Sequence, residues 1–219
     1  MSGFPDPFGL IILLLVVSLV PFMVVMITSF VKLIVVLLLM RNALGVQEVP
    51  PNLVLYGIAL VFTLFITAPV LGEIRARLET APIDLQSVAG WQRAAEEATT
   101  PIREFLLRFA DIEERGFFLQ ATRRVWPERA AEAVSDTDLM VIVPAFVISE
   151  LTRAFEMGFL LWLPFIAIDL IMANILLSLG MIMVSPVMIS LPFKLLLFVL
   201  VDGWSRLLHG LVLSYGIPS

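Results

Sequence analysis

The chain has 219 residues, of which 60% are hydrophobic and only 15% charged, and its net charge is −5. Soluble domains lie nearer half apolar and a quarter charged. This composition, with a mean hydropathy of +1.01, therefore argues against a soluble monomer and predicts an all-α, polytopic membrane protein. The chain has no cysteine, which excludes disulfides and thiolate metal sites.

The first hydrophobic stretch runs from Leu10 to Met40 and is interrupted by one charge, Lys32. It exceeds the roughly 20 residues of one upright membrane-spanning helix, and Pro21 can kink a helix by removing a backbone donor. We therefore expect a kinked or tilted first helix that ends at Arg41, where a cation is typical of a helix C-terminus.

A second spanning helix is expected from Leu53 to Leu71, a run without a charged residue. The prolines at Pro50 and Pro51 precede it, and they prevent the connector from being helical throughout. Together the two stretches make up a predicted N-terminal hydrophobic region, residues 1–71.

Residues 72–137 form a predicted polar helical insert with 12 acidic residues and 9 arginines. This balance is typical of a solvated, folded surface and does not predict nucleic-acid binding. Thr100 and Pro101 predict the start of an amphipathic helix. Its apolar positions have helical spacing: Ile102, Phe105, Leu106, Phe109 and Ile112. We expect this helix to pack on the rest of the insert; a helix lying on the membrane surface is the alternative.

The third region, residues 138–219, is hydrophobic but irregular. Ser135–Asp138 resemble a helix cap before an apolar stretch that starts at Leu139. Prolines recur through the region at Pro144, Pro164, Pro186 and Pro192. Each proline frees backbone groups that lipid cannot satisfy, so proline-broken helices must be buried in protein or line a cavity. We therefore expect this region to pack against other subunits.

The sequence has no motif of nucleotide, serine-hydrolase or zinc-protease chemistry. Its single histidine, His209, is expected to be a packing or surface residue. We therefore predict that the chain is not an enzyme and uses no cofactor and no metal.

Charged residues stand in or beside apolar surroundings at seven positions: Lys32, Glu150, Arg153, Glu156, Asp169, Lys194 and Asp202. A charge inside a membrane costs at least about 2.5–3.5 kcal/mol, so intersubunit or intramembrane ion pairs are expected. Glu150, Arg153 and Glu156 share one helical stripe, where one carboxylate is left for Lys32 or Lys194. Ion pairs that lock subunits together are favoured; a proton or ion relay and simple exposure at an interface stay open.

Gly180 and Pro186 bracket a short apolar stretch and predict a loop between two hydrophobic helices. Methionine side chains are deformable, and a ring of such loops would form an apolar constriction that blocks water and ions. Composition alone favours ordinary core methionines here.

Several stretches resemble the SctR/FliP (YscR-type) family, the inner-membrane export-apparatus proteins of bacterial type III secretion systems and flagella. They run in order over nearly the whole chain: Thr28–Lys32, Leu39–Gly45, Pro50–Asn52, Ile148–Leu151, Pro164–Phe165, Ile168–Leu170, Gly180–Pro186, Ser190–Lys194 and Val201–Trp204. One such stretch alone would not identify a family. All of them in this order, with the polar insert at the position where the family has one, are specific for this family.

The resemblance implies a homo-oligomer, a pentamer, that assembles with SctS/FliQ-type and SctT/FliR-type subunits into a conical helical complex beside SctU/FlhB-type and SctV/FlhA-type subunits. The complex would sit in lipid at the bacterial inner membrane and project into the periplasm, where the insert lies. Unfolded substrates would pass through its pore to inner rod or needle proteins. Met181, Ile182 and Met183 would form the pore gasket, with Gly180 and Pro186 as hinges. Ile182 replaces the family's usual methionine with a stiffer side chain.

In this resemblance, flagellar members are longer chains that begin with a cleavable signal. This sequence begins without such a signal, which predicts the virulence, or injectisome, branch. The leading functional hypothesis is an oligomeric gate for protein export. An ion-coupled secondary transporter that uses Glu150, Asp169 and Lys194 is the alternative. A membrane-bound scaffold without a pore is the third possibility.

Overall fold

The structure is a computed structural model that describes residues 7–46, 48–81 and 87–216. Over these ranges it contains nine helices and no strand, which confirms the all-α prediction. The expectation about how the chain opens falls on residues that lie outside the described ranges.

The first hydrophobic stretch forms two helices, α1 (Pro7–Met26) and α2 (Phe30–Leu44), whose axes meet at 63°. The stretch is therefore bent, as expected, but the break lies at residues 27–29 and not at Pro21, which lies inside α1. The difference follows burial, because the described side chains of α1 are largely exposed, whereas α2 is buried on most of its length. The chain bends where it passes from an uncovered helix to a covered one.

Helix α3 (Asn52–Thr80) begins one residue before the predicted start and continues nine residues beyond Leu71. Its last turns carry charged residues of the insert, such as Glu73, whose carboxylate accepts from Arg77 at 2.7 Å. The boundary drawn at residues 71 and 72 therefore falls within one helix, and the division into three regions stays a prediction.

The insert continues with α4 (Val88–Phe109), α5 (Ile112–Val125) and α6 (Glu128–Glu132). The start predicted at Thr100 is wrong: α4 begins twelve residues earlier, where the Ser87 hydroxyl accepts a hydrogen bond from the Gly90 amide. Thr100 caps nothing, because its hydroxyl donates to the Glu96 carbonyl one turn back inside the helix. The predicted helix also ends sooner, and Ile112 begins α5.

The apolar face of α4 packs outside the insert as well as within it. Leu106, Phe109 and Ala110 are buried in one cluster with Ile142 and Phe146, which belong to the long helix described next. The expectation that α4 packs on the rest of the insert therefore omits its contact with α7, and this buried face is not free to lie on a membrane surface.

The C-terminal region contains α7 (Leu139–Ser178), α8 (Pro186–Leu200) and α9 (Gly203–Leu213). Helix α7 begins at the predicted residue and runs for 40 residues through Pro144 and Pro164, which gives it a length of about 60 Å. The prolines therefore do not break it; the break comes at residues 179–185, and Pro186 opens α8. Helices α8 and α9 meet at 60°.

Among the described residues, two helices, α3 and α7, are long and apolar enough to cross a membrane, and up to four spans result when each bent pair counts as one. In the most apolar 18-residue windows of α3 and α7, only 17% and 11% of the residues are buried within the protomer. Helix α2 is the centre of the main core, where Gly158 of α7 lets the two helices approach closely. A Cβ at Gly158 would lie 2.3 Å from Cδ1 of Leu39.

Candidate functional site: buried ion pairs and the turn between α7 and α8

Glu150 of α7 has no exposed surface and is the centre of a buried polar site. Lys32 of α2, which is 1% exposed, places its Nζ 3.3 Å from Oε2 of Glu150. Arg153, one turn further along α7, places its Nη1 3.2 Å from Oε1 of the same carboxylate. The packing of α2 on α7 thus brings together three of the predicted residues in one chain.

Tyr215, which follows α9, completes this site and was not predicted. Its hydroxyl donates to Oε2 of Glu150, and Nζ of Lys32 lies 3.5 Å from the centre of its ring. The ring also contacts Phe109 edge-on, at 4.9 Å between centroids. The contact joins residues 65 positions apart, and no local pattern signals it; the weak clue is that tyrosine is rare here, with two in the chain.

Two side chains of α7, Arg153 and Ser149, also satisfy backbone groups at the end of α4. Arg153 donates to the carbonyl of Phe109 at 2.7 Å, and the Ser149 hydroxyl accepts from the amide of Asp111 at 2.8 Å. Helix ends leave such groups without intrahelical partners. The Glu150 site therefore also fixes the position of the insert on α7.

A second site joins α7, α8 and the end of α2. Nζ of Lys194 lies 2.6 Å from Oδ2 of Asp169 and 3.3 Å from the carbonyl oxygen of Ala43. The Ser190 hydroxyl donates to the same carboxylate. Ser190 was missed, although its place four residues before Lys194 puts both on one helical face. A lysine beside the last carbonyls of α2 also complements the helix dipole.

The remaining predicted charges make no ion pair within the part of the chain that the structure describes. Glu156 is exposed on α7, and Asp202 is exposed at the bend between α8 and α9. The sequence predicts that Lys32 or Lys194 pairs with the carboxylate that Arg153 does not neutralise. In the structure, Lys32 pairs with Glu150 and Lys194 pairs with Asp169. No group of three or more His, Asp or Glu that could hold a metal occurs in the described ranges.

The turn between α7 and α8 has defined ends. Gly180 adopts a left-handed conformation, with φ of 74°, and its amide donates to the carbonyl of Leu177 while the Met181 amide donates to that of Leu176. This is the Schellman arrangement that closes a helix C-terminus. Pro186 lies at the first position of α8, where its missing amide hydrogen has no consequence.

Between these ends the turn presents apolar side chains to the outside of the protomer. Met181 is 44% exposed, Ile182 80% and Met183 98%. The predicted loop is therefore present, and its methionines are not core residues of the protomer. Their assignment to a pore gasket stays a prediction.

Comparison with known proteins agrees with the sequence motifs. The FliP family model matches residues 13–211. Yop proteins translocation protein R of Yersinia pestis is 49% identical over 216 residues, which cover 99% of this chain and 100% of that protein. The probable translocation protein y4yL of Sinorhizobium fredii is 53% identical, over 89% of this chain and 88% of its own length. The virulence protein YscR of Salmonella typhimurium is 45% identical, over 96% and 98%. The chain therefore belongs to the FliP family.

Proposed function

We propose that this chain is a core subunit of the type III secretion export gate, a non-enzymatic protomer of an oligomeric pore through which unfolded proteins are exported. Relatives named for translocation and virulence support a role in secretion. The observation that carries the proposal is the turn between α7 and α8, which exposes Met181, Ile182 and Met183 next to one another.

Three large apolar side chains on one exposed turn are unfavourable in water unless another surface covers them. A ring of these turns would bury the side chains against one another around a central axis. Such an apolar constriction excludes water and ions when it is closed. Methionine can deform around a passing chain, while the β-branched Ile182 makes the middle of the gasket stiffer.

The ends of the turn support the assignment of Gly180 and Pro186 as hinges. The hydrogen bonds at Gly180 close α7, and Pro186 starts α8, so the five residues between them lie outside both helices. Backbone outside helices is tolerated at membrane depth only where it is buried in protein or lines a cavity. A turn of this kind is therefore suited to the wall of a pore and unsuited to lipid.

The length of α7 supports an assembly that projects from the inner membrane into the periplasm. Its roughly 60 Å is about twice the hydrocarbon thickness of a bilayer, and most of its apolar window is uncovered in the protomer. Copies of this chain, the SctS/FliQ-type and SctT/FliR-type subunits and lipid would share the covering. The charged insert would face the periplasm, near the SctU/FlhB-type and SctV/FlhA-type subunits and the rod or needle.

The geometry disfavours the secondary-transporter alternative. That alternative needs Glu150, Asp169 and Lys194 to act on one ion or solute. Glu150 and Asp169 are 19 residues apart on one helix, which separates them by about 28 Å along its axis. Each carboxylate is instead paired with its own lysine, Lys32 or Lys194.

Deletion of Gly180–Ser185 tests the proposal. We expect the complex to assemble with its partner subunits and to make the bacterial membrane permeable to ions, measured as conductance across reconstituted bilayers. Replacing Met140, a 72% exposed methionine at the start of α7, with alanine is the control and should leave conductance unchanged.

An assembled deletion variant that conducts no ions would contradict the gasket assignment. The scaffold alternative predicts a different outcome, because replacing both Met181 and Met183 with alanine would then leave ion leakage and secretion unchanged.

A further inference from the structure

Glu156 is a carboxylate in an unfavourable place. It lies midway along α7, exposed, and its exposed neighbours Phe155 and Phe159 are apolar. Its side chain makes no hydrogen bond or ion pair with any described residue, and Arg153, three residues away, bonds to Glu150 and the Phe109 carbonyl instead. A carboxylate on an apolar surface that other proteins or lipid must cover requires a partner.

An open cleft of about 560 Å³ lies close by and has the opposite character. Three cations line it, Lys32, Arg108 and Arg153, and in the described residues Glu150 is the only carboxylate paired with any of them. Arg108 bonds to the carbonyl of Gly216 and lies over the ring of Phe109, neither of which neutralises it. The cleft therefore has room and positive charge for one more carboxylate.

Arg153 is arranged to receive that carboxylate. Its side chain is 34% exposed, and both of its hydrogen bonds use Nη1. Its other guanidinium nitrogens face no acceptor among the described residues. Guanidinium binds a carboxylate through two parallel hydrogen bonds when such a pair of donors is free.

We infer that Glu156 of one copy of this chain enters the Arg108–Arg153 cleft of the next copy. The inference identifies one contact between neighbouring protomers, and it rests on the proposed function as an oligomeric gate. Each protomer carries both Glu156 and the cleft, so a head-to-tail contact can be repeated from one protomer to the next.

The positions on α7 fit a contact between neighbouring protomers. Glu156 and Arg153 differ by three residues, which is about 4.5 Å along the helix axis. When neighbouring protomers are related by rotation about an axis that runs along α7, with little translation, groups at the same height along the helix come together.

The test uses the complete complex, expressed with its partner subunits. The chain has no cysteine, so a variant with Glu156→Cys and Arg108→Cys places the only two thiols of this chain at the proposed contact. An arginine–glutamate pair holds its Cα atoms beyond the roughly 7 Å reach of a disulfide, so a longer thiol-specific cross-linker is used. We expect a ladder of covalent oligomers of this chain, and none from either single variant.

Charge reversal gives a second measurement. Glu156→Arg and Arg108→Glu should each lower the yield of oligomer on native gels at least about tenfold, because like charges at an interface cost several kcal/mol. The double reversal should restore it. Glu96→Arg and Arg124→Glu, exposed charges elsewhere on the insert, are the controls and should not change the yield.

An intact oligomer without the cross-linked ladder, or a Glu156 thiol that cross-links to a different subunit, would overturn the inference and leave the export gate standing. A double reversal that fails to restore oligomers would also overturn it. If the unmodified chain forms no oligomer with its partners, the proposed function itself is wrong.

Discussion

Removing the Glu150 carboxylate should destabilise the protein more than any other single change in the described charge sites. Glu150→Ala leaves Lys32 buried without its counter-ion, and Arg153 and Tyr215 lose an acceptor. At 3.3 Å and an effective dielectric constant of about 20, the lost Lys32–Glu150 attraction is about 5 kcal/mol. This agrees with the 3–5 kcal/mol typical of breaking a buried pair. For a chain of this size, about 4 kcal/mol lowers the unfolding midpoint by about 8–16 °C.

The midpoint is measured on the detergent-purified complex, by heating samples and following the intact species on a size-exclusion column. A triple variant, Lys32→Met with Glu150→Leu and Tyr215→Phe, removes the buried charges and the polar tip together. It should recover most of the loss, because apolar replacement of a whole buried ion pair is often neutral. Glu96→Ala, which removes an exposed carboxylate on α4, should shift the midpoint by less than about 2 °C. The reasoning fails if Glu150→Ala has the midpoint of the unmodified protein, or if the triple variant is as unstable as Glu150→Ala.

Three more comparisons between variants have expected directions that the same heating assay checks. Gly180→Ala should lower the free energy of unfolding by about 1 kcal/mol, because the φ of Gly180 is positive. Gly57→Ala should raise it by a similar amount, because Gly57 lies in a helix. No atom lies within 4 Å of a Cβ built at either position, so crowding does not confuse the comparison. Gly158→Val should cost about 1–3 kcal/mol by overpacking, and Leu39→Ala should restore part of it. Tyr215→Phe should cost about 1–3 kcal/mol by leaving the Glu150 carboxylate short of a donor, and Tyr215→Ala should cost more because the aromatic contacts are also lost. Equal midpoints within any of these three comparisons would contradict its explanation.

The features that could be predicted depend on long runs of similar residues. The starts of α3 and α7, at Asn52 and Leu139, follow from uncharged stretches and their flanking polar residues. The turn at residues 179–185 follows from a glycine that alone accepts a left-handed conformation without strain, and from a proline that can begin a helix. In each case the deciding residues are neighbours in sequence.

The features that could not be predicted depend on contacts between residues that are far apart in sequence. Pro21 and Pro101 each remove one backbone hydrogen bond, and both helices continue through them. The bend at residues 27–29 follows the burial of α2 against α7, and burial cannot be read from one helix alone. Tyr215 reaches Glu150 only after α8 and α9 have turned the chain back.

The long-range contacts of the structure also change which surfaces of this chain other subunits must cover. From sequence, the charges in so apolar a chain predict intersubunit or intramembrane ion pairs, with pairs that lock subunits together favoured. In the structure, Lys32 and Glu150 pair with each other, as do Asp169 and Lys194, and Arg153 joins the first pair. The large uncovered surface is apolar instead, along α3, α7 and the turn after α7. In the proposed oligomer, covering that surface is the non-directional contribution to assembly, and the exposed carboxylate of Glu156 gives the proposed contact its direction and register.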